Sequence, residues 1–364
     1  MQRAQSRRGF LALAGGTVAA LAGCLGDDND ARSAAEASSR GTATNDVGFP
    51  VDDAEVPLAL DLEEYENSAQ RGAGQDSIPS IDEPVFGDMA AGDRMLDGGD
   101  PVFGVEIDGD ARAYPQRILV SHEIVNDDFG DRGIAITYCP LTGTAIGFER
   151  GSVEFGVSGM LINSNLVMYD RETDTWWPQI LGTGVLGQLT GNALREVRVS
   201  WTTWERWKRV HPETTVLTED TGYVRNYDQD PYGSYNPLGG YYDNSSVLFD
   251  VLHEDSRHHS KEVFIGARTA DGAMAFHKDR LRADRLVETT VNGTPYLAVY
   301  EPELDTGYVY RNPEGEEYES RGDEFVLPEG DVRRADELPL EPVNAFDAMW
   351  FAWLAFYPET TIED

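Results

Sequence analysis

The stretch TYCPLTGTAIGFER, from Thr137 to Arg150, decides how the chain is read. The apolar run Ile134 to Ile136 leads into it and Ala145 to Phe148 leads out, with Pro140 and Gly143 between them. That pattern predicts strand, tight turn, strand. Cys139 stands at the turn, where two flanking strands hold it firmly and leave it reachable. It is one of two cysteines in the chain, and the other, Cys24, belongs to a targeting segment. The same pattern also suits a small, buried, inert thiol.

Working outward, Val102 to Ile107 and Ala111 to Tyr114 predict a hairpin around Asp108-Gly109. Ile118 to Val125 predicts a short helix or turn that carries His122 and Glu123. After the Cys139 turn come Phe155 to Val157 and a Gly/Ser/Asn-rich piece, Ser158 to Asn165. Leu166 to Tyr169 and Thr175 to Ile180 predict strands on either side of a polar turn. Trp201 to His211 predicts a helix capped by Thr202 or Thr203, with Pro212 past its end. Residues Ala54 to Gly99 suggest loops and short elements.

The chain repeats itself. Trp204, Trp207, Pro212, Glu213, Thr214 and Thr215 recur as Trp350, Trp353, Pro358, Glu359, Thr360 and Thr361, an offset of 146 (350 − 204). Gly104, Ala113, Leu119, Tyr138, Pro140 and Thr144 recur as Gly266, Ala275, Leu281, Tyr300, Pro302 and Thr306, an offset of 162 (266 − 104). These matches predict an α+β fold made of two tandem copies of a β-rich α+β unit, roughly 101–217 and 263–363, packed as a pseudo-symmetric pair. The first copy carries 16 extra residues (162 − 146) between Arg150 and Trp204. Cys139 stands opposite Glu301 and His122 opposite Asp284, while the turn residues around the thiol are kept. The first copy therefore concentrates the unusual side chains. Domain boundaries follow as 1–24 signal, 25–58 disordered tether, 59–250 first repeat with a tyrosine-rich connector, and 251–364 second repeat.

Charge narrows the setting. The 364 residues hold 65 acids against 29 bases, a formal charge of −36, and the only lysines are Lys208, Lys261 and Lys278. Acid spread along the whole chain suits very high salt, which screens the self-repulsion, and it argues against nucleic acid as a partner. At the N-terminus, Ser6-Arg7-Arg8-Gly9-Phe10-Leu11 reads as a twin-arginine export signal. Leu11 to Ala22 is too short and too rich in Gly and Ala for a stable span. Leu21-Ala22-Gly23-Cys24 resembles a lipobox, which makes Cys24 the lipid anchor. The expectation is a surface protein tethered to the outer face of the cytoplasmic membrane, with a small ligand or exported protein as partner. The polar stretch that follows reads as a tether.

The pieces AYPQRILVSHEIVND, TYCPLTGTAIGFER, FGVSGMLINSNLVMYDRETDTWWPQ, WERWKRVHPETTVL and DTGYVRNYDQDPYGSY together resemble the family called domain of unknown function 3179. They cover most of residues 100–270. The family name implies no activity. The resemblance implies a second cysteine three residues after the first, where this chain has Thr142, so a dithiol role is not expected here.

Three chemistries compete. A metal site for copper or zinc would use Cys139 and His122, with Met160 or Met168 as a soft third ligand. A thiol enzyme would use Cys139 as nucleophile, His122 as base, and Glu123, Asn163 or Asn165 to orient it. A non-catalytic module would bind a polar ligand through Ser158, Asn163, Asn165, Tyr169, Trp177 and Gln179, with Trp176 and the tyrosines of the connector Thr218 to Ser260. His253, His258 and His259 end that connector, where a solvated surface role is the expectation. Two checks bear on the setting. Cys24→Ala should free the protein from the membrane fraction, and its melting temperature should climb from low to molar KCl. A wild type already soluble in the medium, or a flat salt response, contradicts the respective expectation.

Overall fold

The computed structural model describes residues 48–364. The export signal, Cys24 and most of the expected tether lie outside the described residues. In the first half, β1 (Pro101–Ile107) and β2 (Asp110–Pro115) form the expected hairpin. Helix α1 (Gln116–Leu119) leads to β3 (Ile124–Phe129), β4 (Arg132–Cys139) and β5 (Thr144–Glu149), an antiparallel meander. β6 (Phe155–Ile162), β7 (Asn165–Asp170) and β8 (Trp176–Pro178) form a second antiparallel sheet. β9 (Ser200–Thr203), α2 (Trp204–Val210) and β10 (Thr215–Leu217) return to the hairpin, giving the order β9-β1-β2-β10.

The second half contains β11 (Val263–Thr269), β12 (Gly272–His277) and α3 (Lys278–Asp284). There follow the meander β13 (Leu286–Val291), β14 (Thr294–Glu301) and β15 (Thr306–Arg311). β16 (Ala345–Met349), α4 (Trp350–Phe356) and β17 (Thr361–Glu363) complete the order β16-β11-β12-β17. The fold is thus β-rich, with short helices. Strand registers recur between the halves. Gly104 pairs with Ala113 as Gly266 pairs with Ala275. Ser200 pairs with Gly104 as Phe346 pairs with Gly266. The parallel pair Thr215–Arg112 recurs as Thr361–Met274.

One packing device holds each hairpin to its helix. The Trp207 ring lies so close to Gly104 that an added Cβ would sit 2.2 Å from it, and at Gly266 the same methyl would sit 2.3 Å from Trp353. Each indole N–H is satisfied seven residues on, Trp207 by the Thr214 hydroxyl at 2.8 Å and Trp353 by Thr360 at 3.0 Å. Burying each indole contributes on the order of 4–6 kcal/mol. One apolar core joins Phe148, Trp177 and Cys139 to Phe264, Trp350 and Phe356, and so runs across the expected 250/251 boundary.

Several sequence expectations shift. Phe49 and Val51 are buried, and Val51–Asp53 pairs with Asn192–Leu194, so the expected tether ends before residue 49 rather than at 58. Ser158 to Ile162 continues a strand, because its glycine and serine face sheet neighbours rather than water. The Trp204 helix starts three residues later than Trp201, since Ser200–Thr203 pairs with β1. Its cap residue is Thr203, whose hydroxyl makes no cap bond. The strand expected over Thr175–Ile180 shortens to Trp176–Pro178. Residues 54–99 hold the helices Leu62–Asn67 and Met89–Met95.

Gly104→Ala and Gly266→Ala should each destabilise the fold by about 1–3 kcal/mol through overpacking. Gly239→Ala, whose added methyl meets nothing within 4 Å, serves as the control in denaturant melts. Equal stability of all three contradicts the Gly–Trp contact.

Candidate functional site

Cys139 ends β4, pairs with Thr144 across the turn, and is only 1% exposed. Its sulfur accepts the Leu166 N–H at 3.3 Å and faces the Ser164 carbonyl at 3.8 Å. Burial, and then the nearby Glu123 charge, push the thiol up to about 11. A thiol held this way is protonated at neutral pH, and only the thiolate is a good nucleophile or metal ligand.

His122 is fully buried and already engaged on both sides. Its Nδ1 lies 2.8 Å from the Pro79 carbonyl, which can only accept, so Nδ1 carries the proton. Nε2 accepts from the Tyr227 hydroxyl at 2.7 Å, and that hydroxyl also meets Thr221 at 2.6 Å. Burial holds the imidazole below its ordinary pKa. Neither nitrogen is hydrogen-bonded to the thiol. What the turn does bring to Cys139 is Glu123, whose carboxyl burial raises to about 8.

The polar side chains expected to bind substrate are committed to the fold. Asn165 donates to Thr142 at 3.0 Å and to Gln179 at 2.9 Å, and accepts the Ile180 N–H at 2.9 Å. Gln179 accepts from Thr144 at 2.7 Å and donates to Thr137 at 2.9 Å. All five side chains are buried, and together they tie the Cys139 turn to β7 and the segment after β8. Thr142, which stands where the family resemblance implies a cysteine, belongs to this network. Ser158 donates to the Val167 carbonyl at 2.5 Å. Asn163 donates to the Ala355 carbonyl at 3.0 Å and accepts from Leu252 N–H at 2.8 Å. Tyr169 donates to Asp76 and Trp177 to Asp170. Met168 is wholly buried in the shared core, and Met160 is half-buried.

A different cluster brings possible ligand atoms together. His258, Glu262 and His277 each offer a ligand atom, all within 4.8 Å of one another. His258 Nδ1 is 3.0 Å from Glu262 Oε2, and His277 Nε2 is 3.6 Å from the same oxygen. Donors sharing a tetrahedral zinc ion sit roughly 3.3 Å apart, so these separations bracket that value. The other His258 nitrogen, Nε2, lies 3.1 Å from Asp364 Oδ2. A carboxylate behind a ligating imidazole fixes its tautomer and orientation. His253 and His259 are not part of the group. His253 faces the Ala355 carbonyl at 3.3 Å, and His259 accepts the Lys261 N–H at 3.3 Å.

Glu262 and His277 also line a cleft of about 370 Å³. Trp201 and Arg206 come from the first half, Met349 from the second, and Tyr235 from the connector. Lys278 and Asp347 form an ion pair at 2.5 Å on its wall. His258 and Glu262 are four apart in sequence, which is visible there. His277 joins them only because β12 pairs with β11 in the register Phe264–His277.

Glu123 carries a pH signature. Its pKa rises from 4.5 to about 8 on folding. Between those values the folded chain holds a proton that the unfolded chain has shed, so this group lowers stability as pH rises. Glu123→Gln removes the effect. The stability difference between variant and wild type should therefore move toward the variant from pH 5 to pH 8, by at most about 1.4 kcal/mol per pH unit. A difference constant with pH contradicts the buried, neutral carboxyl.

The family model described as protein of unknown function (DUF3179) matches residues 75–360. No curated protein and no solved structure matches the chain. The family model spans most of the chain, including both halves and both clusters described above, and the chain belongs to the DUF3179 family of proteins of unknown function.

Proposed function

We propose that the protein binds a divalent transition metal, zinc first, through His258, Glu262 and His277 at the edge of the large cleft. The observation that carries this is the mutual approach of three donor atoms of the right kind within 4.8 Å. Two imidazoles and one carboxylate suit zinc and leave a position open to the cleft. A cleft of about 370 Å³ is the size of a small-molecule site. The metal supplies a Lewis acid there. The chain's own part is to hold the donors, with Asp364 fixing the His258 ring and the Lys278–Asp347 pair presenting charge to a polar ligand. Metal on His277 Nε2 puts that ring's proton on Nδ1, which gives up the weak 3.4 Å contact with the Arg280 amide.

This reading moves the ion away from Cys139 and His122. A thiol-dependent enzyme has less support, because the thiol is buried and the imidazole is spent on Pro79 and Tyr227. The proposal also includes export and a lipid anchor at Cys24, motivated by the N-terminal sequence alone. It includes descent of the two halves from one duplicated unit, supported by the recurring registers; backbones of 102–150 and 264–312 that fail to superpose would count against it.

Full-length protein stripped by chelator should take up one zinc per chain in a calorimetric titration, confirmed by elemental analysis. His277→Ala and Glu262→Gln should abolish uptake, Asp364→Asn should weaken it about 10–100-fold, and Cys139→Ser should leave it unchanged. Zinc uptake insensitive to His277→Ala, or none at all, overturns the proposal.

A further inference from the structure

A second, smaller cavity of about 100 Å³ lies beside Glu123, walled by Leu141, Val157, Leu161, Leu166, Phe249 and Tyr232. Glu123 is 8% exposed, yet among the described residues its carboxyl has no hydrogen bond and no ion pair. Its oxygens are not sealed inside protein but open onto the cavity, which offers them no protein donor. Tyr232, half-buried, lines the same wall. Apolar walls around one carboxyl without a protein partner are the composition of a small-ligand pocket.

The backbone explains part of this but not the carboxyl. Glu123 has φ +60, and Arg285, its counterpart in the second half, has φ +70. Both carbonyls accept a tyrosine N–H, from Tyr138 at 2.7 Å and from Tyr300 at 2.8 Å. The unusual conformation therefore belongs to the shared architecture. The side chains differ: Arg285 reaches Asp323 at 3.5 Å, while Glu123 turns inward with nothing to meet it.

We propose that this cavity binds a small organic cation of the alkylammonium class, with Glu123 as its counter-ion. No cationic side chain lines the cavity, so nothing there would hold an anion. A cation with N–H donors supplies what a buried carboxylate lacks, and the chain's charge of −36 draws cations to its surface. The space holds about three waters, at roughly 30 Å³ each, or a ligand of that bulk such as methylammonium or dimethylammonium. The titratable groups that face Glu123 are Cys139 and Tyr232, both neutral at physiological pH.

The test uses full-length protein, with methylammonium and dimethylammonium chloride followed by ligand-detected NMR and with ethanol and acetate as neutral and anionic probes. The ammonium ions should bind and acetate should not. Because the free carboxyl is protonated below about pH 8, affinity should fall about tenfold per pH unit on acidification from there. Glu123→Gln should lose at least tenfold. Leu161→Phe, which fills the cavity, should lose binding while the aromatic circular dichroism stays native. Equal binding of ethanol, or binding unchanged in Glu123→Gln, overturns the proposal. Failure of every probe to bind at tens of millimolar also overturns it and leaves a cavity that holds water only.

Discussion

The buried network of Thr137, Thr142, Thr144, Asn165 and Gln179 is the constraint on which the first half depends. Five polar side chains are taken out of water and satisfied by one another and by the backbone. Removing one member strands its partners, at about 1–3 kcal/mol for each group left unpaired. The network fixes the Cys139 turn against β7, and the Leu166 N–H then closes over the sulfur. The most conspicuous residue of the sequence is thereby enclosed. What the turn leaves exposed to a cavity is its neighbour Glu123, not the thiol.

The second half offers the reverse arrangement. Its Cys139 counterpart, Glu301, accepts the Glu303 and Leu304 amides and so caps the equivalent turn. At the end of its hairpin, however, stand His277 and Lys278, where the first hairpin ends in Pro115 and Gln116. Gln116 reaches Asp230 and the tyrosine cluster of the connector, whereas Lys278 reaches Asp347 on β16. The two hairpin ends therefore carry different chemistry. The cleft forms where the two halves and the connector meet.

Much of the scaffold was legible in the sequence. Alternating apolar runs gave the hairpin and the Cys139 turn, and residues matched at the two offsets pair in like registers, such as Gly104–Ala113 and Gly266–Ala275. The site was less legible. Rarity pointed to Cys139 and His122, but rarity does not report burial, and a lone thiol or imidazole packs as readily as it reacts. His258 and Glu262 stand four residues apart in sequence, while His277 lies 19 residues beyond His258 (277 − 258) and arrives only through strand pairing.

The most direct test of the proposed metal site is anomalous diffraction at the zinc edge from crystals of the full chain grown with zinc. The account predicts one anomalous peak per chain, about 2.0–2.2 Å from His258 Nδ1, Glu262 and His277 Nε2. A peak at Cys139 and His122, or no ordered peak in the cleft, would contradict it.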